Sequence, residues 1–307
     1  MTLEQLRIFV AVAYIEHFTR AAERLGISQS AVSAAIAALE SRYKVLLFDR
    51  SRRNVELTDA GNLFLAEAEG ILGRVNLAQR RIEDLSDLRV GRIVVAASRT
   101  IASYWLPQLL VTFRDRYPGL TIDLLQDNSS EVERRVLRGE VDIGIIERDP
   151  NDRTLRVETL ARDTLVVVIG PRHAWFKRPF VDWRELADTS WILREPGSDT
   201  RALFEDTLTD RGVSPERLDV TLTLRSGEAI CSAVVASASA AVMSSLVCTL
   251  ARSAGLLQQL DSISIERNFS ALHLPGRPMT RATRTLLDHL RSTGSASSSQ
   301  DLIINCV

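Results

Sequence analysis

The stretch FTRAAERLGISQSAVSAAIAALE, residues 18–40, decides how the first part of the chain folds. Thr19 is positioned to N-cap a short helix that carries Ala21, Ala22 and Leu25 and stops at Gly26. Ser28 is positioned to cap a longer helix with Ala31, Val32, Ala35, Ile36 and Leu39 on its inner face. Two helices joined by Gly26, Ile27 and Ser28 make a helix-turn-helix. Upstream, Leu3, Leu6, Phe9, Val10 and Ala13 recur at helical spacing and predict one more amphipathic helix. Downstream, VLLF (45–48) and NVEL (54–57) are strand-like runs flanking residues 49–53, the layout of a wing.

Working outward, residues 58–88 read as one long helix. Phe64, Ala68, Ile71, Val75, Ala78, Ile82 and Leu85 are spaced 4, 3, 4, 3, 4, 3, the seam of a coiled coil, which predicts pairing with a second copy. After residue 89 the period changes. Apolar, β-branched runs at 93–97, 121–125, 141–146 and 165–169 alternate with helical segments at 104–117, 130–137, 198–211, 228–236 and 281–290. That alternation predicts an α/β domain with largely parallel sheets. Residues 293–307 begin Ser-rich and read as a loose tail.

Two sets of residues in the first 58 carry chemistry. Gln29, Ser30 and Ser33 sit near the start of the third helix, away from its apolar face. A helix in the major groove presents such residues to base edges and phosphates, and Gln can pair with adenine N6 and N7. Arg42, Lys44, Arg50, Arg52 and Arg53 surround the single acid Asp49, a local charge of five minus one on a chain whose formal net charge is −1. Such a cluster supplies phosphate contacts. The overall balance excludes a polycation that coats nucleic acid, but not a small domain that reads short sites.

FTRAAERLGISQSAVSAAIAALE followed by LLFDRSRRNVELTDAG (46–61) resembles the winged helix-turn-helix signature of LysR-type transcriptional regulators, and the resemblance covers nearly all of residues 1–292. It implies a winged helix-turn-helix over 1–58, a linker and dimerisation helix over 59–89, and a two-lobed α/β effector domain over 90–292, like periplasmic binding proteins. The lobes would be 91–162 with 266–292, and 163–265. It places DNA contacts at Thr19, Gln29, Ser30, Ser33, Arg50 and Arg53, with Arg52 in the same basic wing. It also implies a homodimer or homotetramer that reads an interrupted inverted repeat in double-stranded DNA, with RNA polymerase as a further partner. Two departures fall in the signature: Tyr43-Lys44 stands where Leu-Gly is usual, and Ser30 where Pro is common.

The second half holds two donor-rich turns. Ser98-Arg99-Thr100 follows a strand and precedes a helix, and EPGSDTR (195–201) opens another helix. Exposed helix N–H groups and hydroxyls at strand carboxyl ends bind anions. Gly197 allows close backbone approach there, and Ser198 and Thr200 offer hydroxyls. Such turns can also be plain N-caps. The family resemblance implies that Ser98 and Thr100 face Ser198 and Thr200 across a cleft, with Arg99, Ser129 and Ser226 as further effector residues. EPGSDTR looks most like regulators of carbon fixation or sulfur assimilation, whose effectors are small anions. A third departure is ASASA (236–240), where relatives often carry a Gly-rich turn, so a left-handed turn is not expected here.

Other classes fall away. Cys231, Cys248 and Cys306 are odd in number and widely spaced, and His17, His173, His273 and His289 lack metal spacing. No cofactor or metal is expected. GxSxG, GxxxxGK[ST] and GxGxxG are missing, so an enzyme is not expected. The N-terminus has no basic region or cleavage site of a secretory signal, which predicts a cytoplasmic protein. Residues 229–251 are uncharged and long enough to span a bilayer, but their serines predict a helix, a turn and a short buried strand. The reading is therefore a DNA-binding regulator controlled by a small, anionic effector. The alternative is a cytosolic small-anion binding protein without DNA activity.

Overall fold

A computed structural model describes residues 1–49, 55–84, 91–178, 180–275 and 279–294. Arg50, Arg52, Arg53, Leu85, Cys306 and nearly all of the expected tail lie outside the described residues.

Helix α1 (Leu3–Ile15) starts in a capping box between Thr2 and Gln5. Helix α2 (Phe18–Leu25) is capped by the His17 side chain, not by Thr19, which sits one residue inside the helix and is exposed. The imidazole Nδ1 accepts from the Arg20 N–H at 3.4 Å, so the cap falls two positions earlier than expected. Gly26 ends α2 at φ 67°. Helix α3 (Gln29–Tyr43) starts at Ser28, whose hydroxyl accepts from the Ala31 N–H at 3.2 Å. It ends at Lys44, held at φ 54°. The wing is a short antiparallel pair, β1 (Phe48–Asp49) with β2 (Glu56–Leu57), and helix α4 (Asp59–Asp84) follows.

Phe9 is the hub of this core. Its ring lies 5.3 Å from Phe48 and 4.8 Å from Phe64, among Leu6, Val12, Val32, Ile36 and Leu39. Glu40 accepts from the Leu47 and Phe48 N–H groups at 2.9 and 3.2 Å, which anchors the wing to α3. A Cβ on Gly61 would fall 2.1 Å from the Leu47 carbonyl oxygen, so only glycine allows α4 to approach here. Ala68 of the expected seam is buried in this core, and Phe64 and Ile71 pack against it. That stretch of the seam therefore serves the domain's own interior.

The rest of the chain makes one eight-stranded mixed sheet flanked by helices. It runs from β3 (Gly91–Ser98) through a π-helical turn, Ile101–Trp105, to α5 (Leu106–Arg116), β4 (Leu120–Asp127), α6 (Ser129–Leu137) and β5 (Ile143–Ile146). Next come β6 (Arg156–Ile169), β7 (Ser190–Arg194), α7 (Asp199–Asp210), β8 (Asp219–Leu224), α8 (Gly227–Ala236) and β9 (Ala240–Ser244). Helix α9 (Ser245–Ser253), β10 (Gln258–His273) and α10 (Arg281–Gly294) complete it. The elements up to α4 and those from β3 onward belong to two compact units.

The strand order is β4-β3-β5-β10-β6-β9-β7-β8. The outer pairs are parallel, as expected, but β10 pairs antiparallel with β5 and β6, and β6 with β9. Strands β6 and β10 each run through both lobes, so the chain crosses twice. One lobe is cored by Ile93, Trp105, Phe113 and Phe269, the other by Trp191, Phe204, Val167 and Val242. Strands β7, β8 and β10 do not stand out as apolar runs, because that of β7 is only three residues long and polar residues interrupt β8 and β10.

Residues 229–251 fold as α8, β9 and an additional helix, α9. Among the described residues no helix is long and apolar enough to cross a membrane. No residue from 236 to 240 has positive φ, and Ser237 is extended at φ −123°. The turn is built without the conformation that glycine favours.

Candidate functional site

The first site is the outer face at the start of α3. Gln29 and Ser30 are exposed and Ser33 is half-buried. Among the described residues their side chains bond only to near neighbours: Gln29 Nε2 donates to Ser33 Oγ at 3.0 Å, and the Ser28 and Ser30 hydroxyls lie 2.9 Å apart. Thr19 is exposed on the first turn of α2. Arg42 and Lys44 are exposed at the far end of α3. Polar groups held this loosely can exchange local bonds for bonds to base edges or phosphates at little cost.

The second site lies between the lobes of the sheet domain. Ser98 ends β3 and Arg99 and Thr100 follow it, Ser129 opens α6, and Gly197, Ser198 and Thr200 precede or begin α7. All seven line one cleft. Ser226 is not among its lining residues. Its hydroxyl accepts from the Ala229 N–H at 3.2 Å and donates to Glu228 at 2.6 Å, the role of a helix cap. Gly197 sits at φ 84° with nothing within 4 Å of a built Cβ, so its backbone conformation is what requires glycine.

Two hydroxyls of this cleft are already engaged by carboxylates. Ser98 donates to Glu147 Oε1 at 2.9 Å, and Ser129 donates to Asp199. Arg99 pairs with Glu195 from the opposite lobe, and Arg194 Nε pairs with Glu195 at 2.9 Å. Arg148 Nε lies 3.2 Å from Asp199 and its Nη2 3.0 Å from Glu133. The free space left at the two turns is about 20 Å³. That is room for one water. Burial pushes the Asp199 carboxyl above the ordinary range despite the Ser129 hydrogen bond, and the nearby Glu147 charge adds to the effect. The same environment works the other way on Glu195: burial alone would raise it, but Arg194 and Arg99 hold it below the usual range.

Arg267 organises the cleft, and the motif search did not find it. It is 6% exposed, in the middle of β10. Its Nη1 donates to Glu147 Oε2 at 2.6 Å and to Thr200 Oγ1 at 3.1 Å, and its Nε donates to Asp163 Oδ2 at 2.7 Å. Ser244 Oγ donates to the other Asp163 oxygen at 2.7 Å. Burial alone would lower the proton affinity of Arg267, but Glu147 and Asp163 outweigh it and keep the guanidinium charged. The signal was present in the sequence. Ile263, Ile265, Phe269 and Ala271 alternate as buried strand positions, and Arg267 occupies one step of that series. A charge at a core position of a strand marks a network built for it.

Among the described residues, no group of three or more His, Cys, Asp or Glu side chains could hold a metal ion. Burial pushes the Cys231 and Cys248 thiols up to about 11, so neither is a thiolate near neutral pH.

Comparison with known proteins matches both halves. Residues 3–62 match the model of the bacterial regulatory helix-turn-helix protein, lysR family, and residues 86–295 match the LysR substrate binding domain. The chain is 32% identical over 289 residues to a probable RuBisCO transcriptional regulator of Gracilaria tenuistipitata var. liui, covering 92% of this chain and 94% of that one. Its fold is similar to a full-length OxyR variant from Pseudomonas aeruginosa, at 24% identity and TM-score 0.68, with 95% of each chain covered. It is also similar to the Synechocystis PCC6803 CcmR regulatory domain in complex with 2-PG. That match has 26% identity and TM-score 0.61, over 69% of this chain and 98% of that one.

Proposed function

Because the chain belongs to the lysR family of bacterial regulatory helix-turn-helix proteins, we propose that it is a transcriptional regulator switched by a small molecule carrying an oxyanion, bound between the lobes of its substrate-binding domain. Residues 1–58 read DNA, residues 59–89 join two or four copies, and residues 90–292 sense the effector. Gln29, Ser30 and Ser33 address base edges, while Thr19, Arg50, Arg52 and Arg53 address the backbone. An interrupted inverted repeat suits two copies related by a two-fold axis.

The convergence of Ser98, Thr100, Ser129 and Thr200 with Arg99 on one cleft carries the effector reading. The Synechocystis domain in complex with 2-PG supports it. The present closure is self-supplied: Glu195 and Asp199 from one lobe engage donors of the other. An effector that engages those donors favours a different arrangement of the lobes, and α4 passes the change to the DNA-reading helices. The family's role, not any feature of the cleft, argues against turnover.

Mobility-shift titrations over a salt series test the DNA half. Arg50→Ala and Arg53→Ala should each weaken binding to DNA flanking the protein's own gene and reduce the salt slope by about 1. Wild-type binding at every salt concentration would remove the wing from the interface.

A further inference from the structure

The inner cleft is too small for a metabolite, but a larger cavity adjoins it. A cavity of about 340 Å³ opens between α7, the segment after β5, and the crossing strand β10. Glu147 and Asp199 border both spaces. A volume of that size suits a small-molecule ligand.

The chemistry of this cavity is divided. Its inner side carries both signs, Arg267 and Arg148 together with the Glu147 and Asp199 carboxylates that pair with them. Arg267 Nη2 is buried and has no hydrogen-bond partner among the described residues. An orphaned guanidinium N–H inside a protein is costly, and an acceptor on a ligand would satisfy it. The rim is anionic. Asp149, Asp206 and Glu266 are exposed there; the Asp149 carbonyl accepts from Arg148 Nη1 at 2.6 Å, but none of the three carboxylates makes an ion pair or hydrogen bond among the described residues. The nearby cations are committed elsewhere: Arg148 to Glu133 and Asp199, Arg267 to Glu147 and Asp163. A simple oxyanion entering this cavity would meet three uncompensated carboxylates.

We propose that the effector is a zwitterion of the amino-acid class, its carboxylate held at Arg267 and its ammonium group among Asp149, Asp206 and Glu266. This rests on the reading of the interlobe region as the effector site, and adds a cationic group to the oxyanion required there. The rim carboxylates act as specificity determinants. They favour the ammonium and repel acids that lack it.

Calorimetric titration of the full chain with the protein amino acids, with the 2-hydroxy acid matching each binder, and with inorganic phosphate tests the proposal. At least one amino acid should bind, and about tenfold or more tighter than its hydroxy acid. Asp206→Asn combined with Glu266→Gln alters only exposed side chains and should abolish that preference while leaving hydroxy-acid affinity equal or improved. Failure of every amino acid to bind would overturn the proposal, as would a hydroxy acid or phosphate binding as tightly as the best of them. A preference that survives in the double variant would overturn the assigned rim. The two readings fail separately. A hydroxy acid or phosphate that binds and alters the DNA footprint rejects the zwitterion and keeps the effector-controlled regulator. An amino acid that binds as expected but leaves the footprint unchanged rejects the regulator's control and keeps the site.

Discussion

The start of α3 and the interlobe cleft both collect serines, yet they hold their polar side chains in opposite ways. On α3, Gln29 bonds to Ser33 and Ser28 to Ser30, all within four residues and open to solvent. In the cleft, Ser98 bonds to Glu147 across 49 positions, and Arg267 to Glu147 across 120. The first arrangement leaves polar groups available to a partner. The second commits them to charges that hold the lobes in place. The same residue types thus serve an open surface in one unit and a closed charge network in the other.

The cleft should therefore be far less tolerant of substitution. Arg267→Met leaves Glu147 and Asp163 buried without their cation and should destabilise the protein by about 3–5 kcal/mol, read by denaturant unfolding. A loss below about 1 kcal/mol, the scale of an exposed ion pair, would erase the contrast.

Asp199 sharpens it through pH. Its native pKa lies above the unfolded value, so the folded form takes up the proton first. That contribution is complete below the unfolded pKa and is lost as pH rises through the native one. Asp199→Asn should thus gain stability relative to the wild type as pH is raised from about 4 toward neutrality. Parallel pH profiles for the two proteins would show that burial does not burden this carboxylate.

The same contrast explains what was legible in the sequence. The helix-turn-helix is local: Gly26 and Ser28 punctuate it, and Val32, Ile36 and Leu39 mark its buried face. The cap was misplaced, at Thr19 instead of His17, because an imidazole nitrogen accepted the bond that a hydroxyl was expected to take, and Leu3 and Ala31, expected on apolar faces, are exposed. The two turns that line the cleft were legible too, as donor-rich strand ends. What fills them was not. Glu147, Asp163 and Arg267 are unremarkable singly and meaningful only once β6 and β10 lie side by side, with Arg267 opposite Asp163. Ser226 shows the reverse error, since a serine before a helix looks the same as a cap and as a ligand donor.

The smallest effect belongs to the DNA-reading unit. Lys44 is held at φ 54°, in the left-handed region that favours glycine. Lys44→Gly should stabilise the fold by up to about 1 kcal/mol. A thermal unfolding scan that moves down would show that the lysine stem packs usefully there.

The claim on which the account turns is that the exposed start of α3 reads sequence. Titration of wild type and Gln29→Ala against DNA flanking the protein's own gene, and against unrelated DNA of equal length, tests it most directly. The account predicts that Gln29→Ala loses about 1–3 kcal/mol of preference for the flanking DNA, with the same salt slope and unchanged affinity for unrelated DNA. An unaltered ratio between the two DNAs would contradict it.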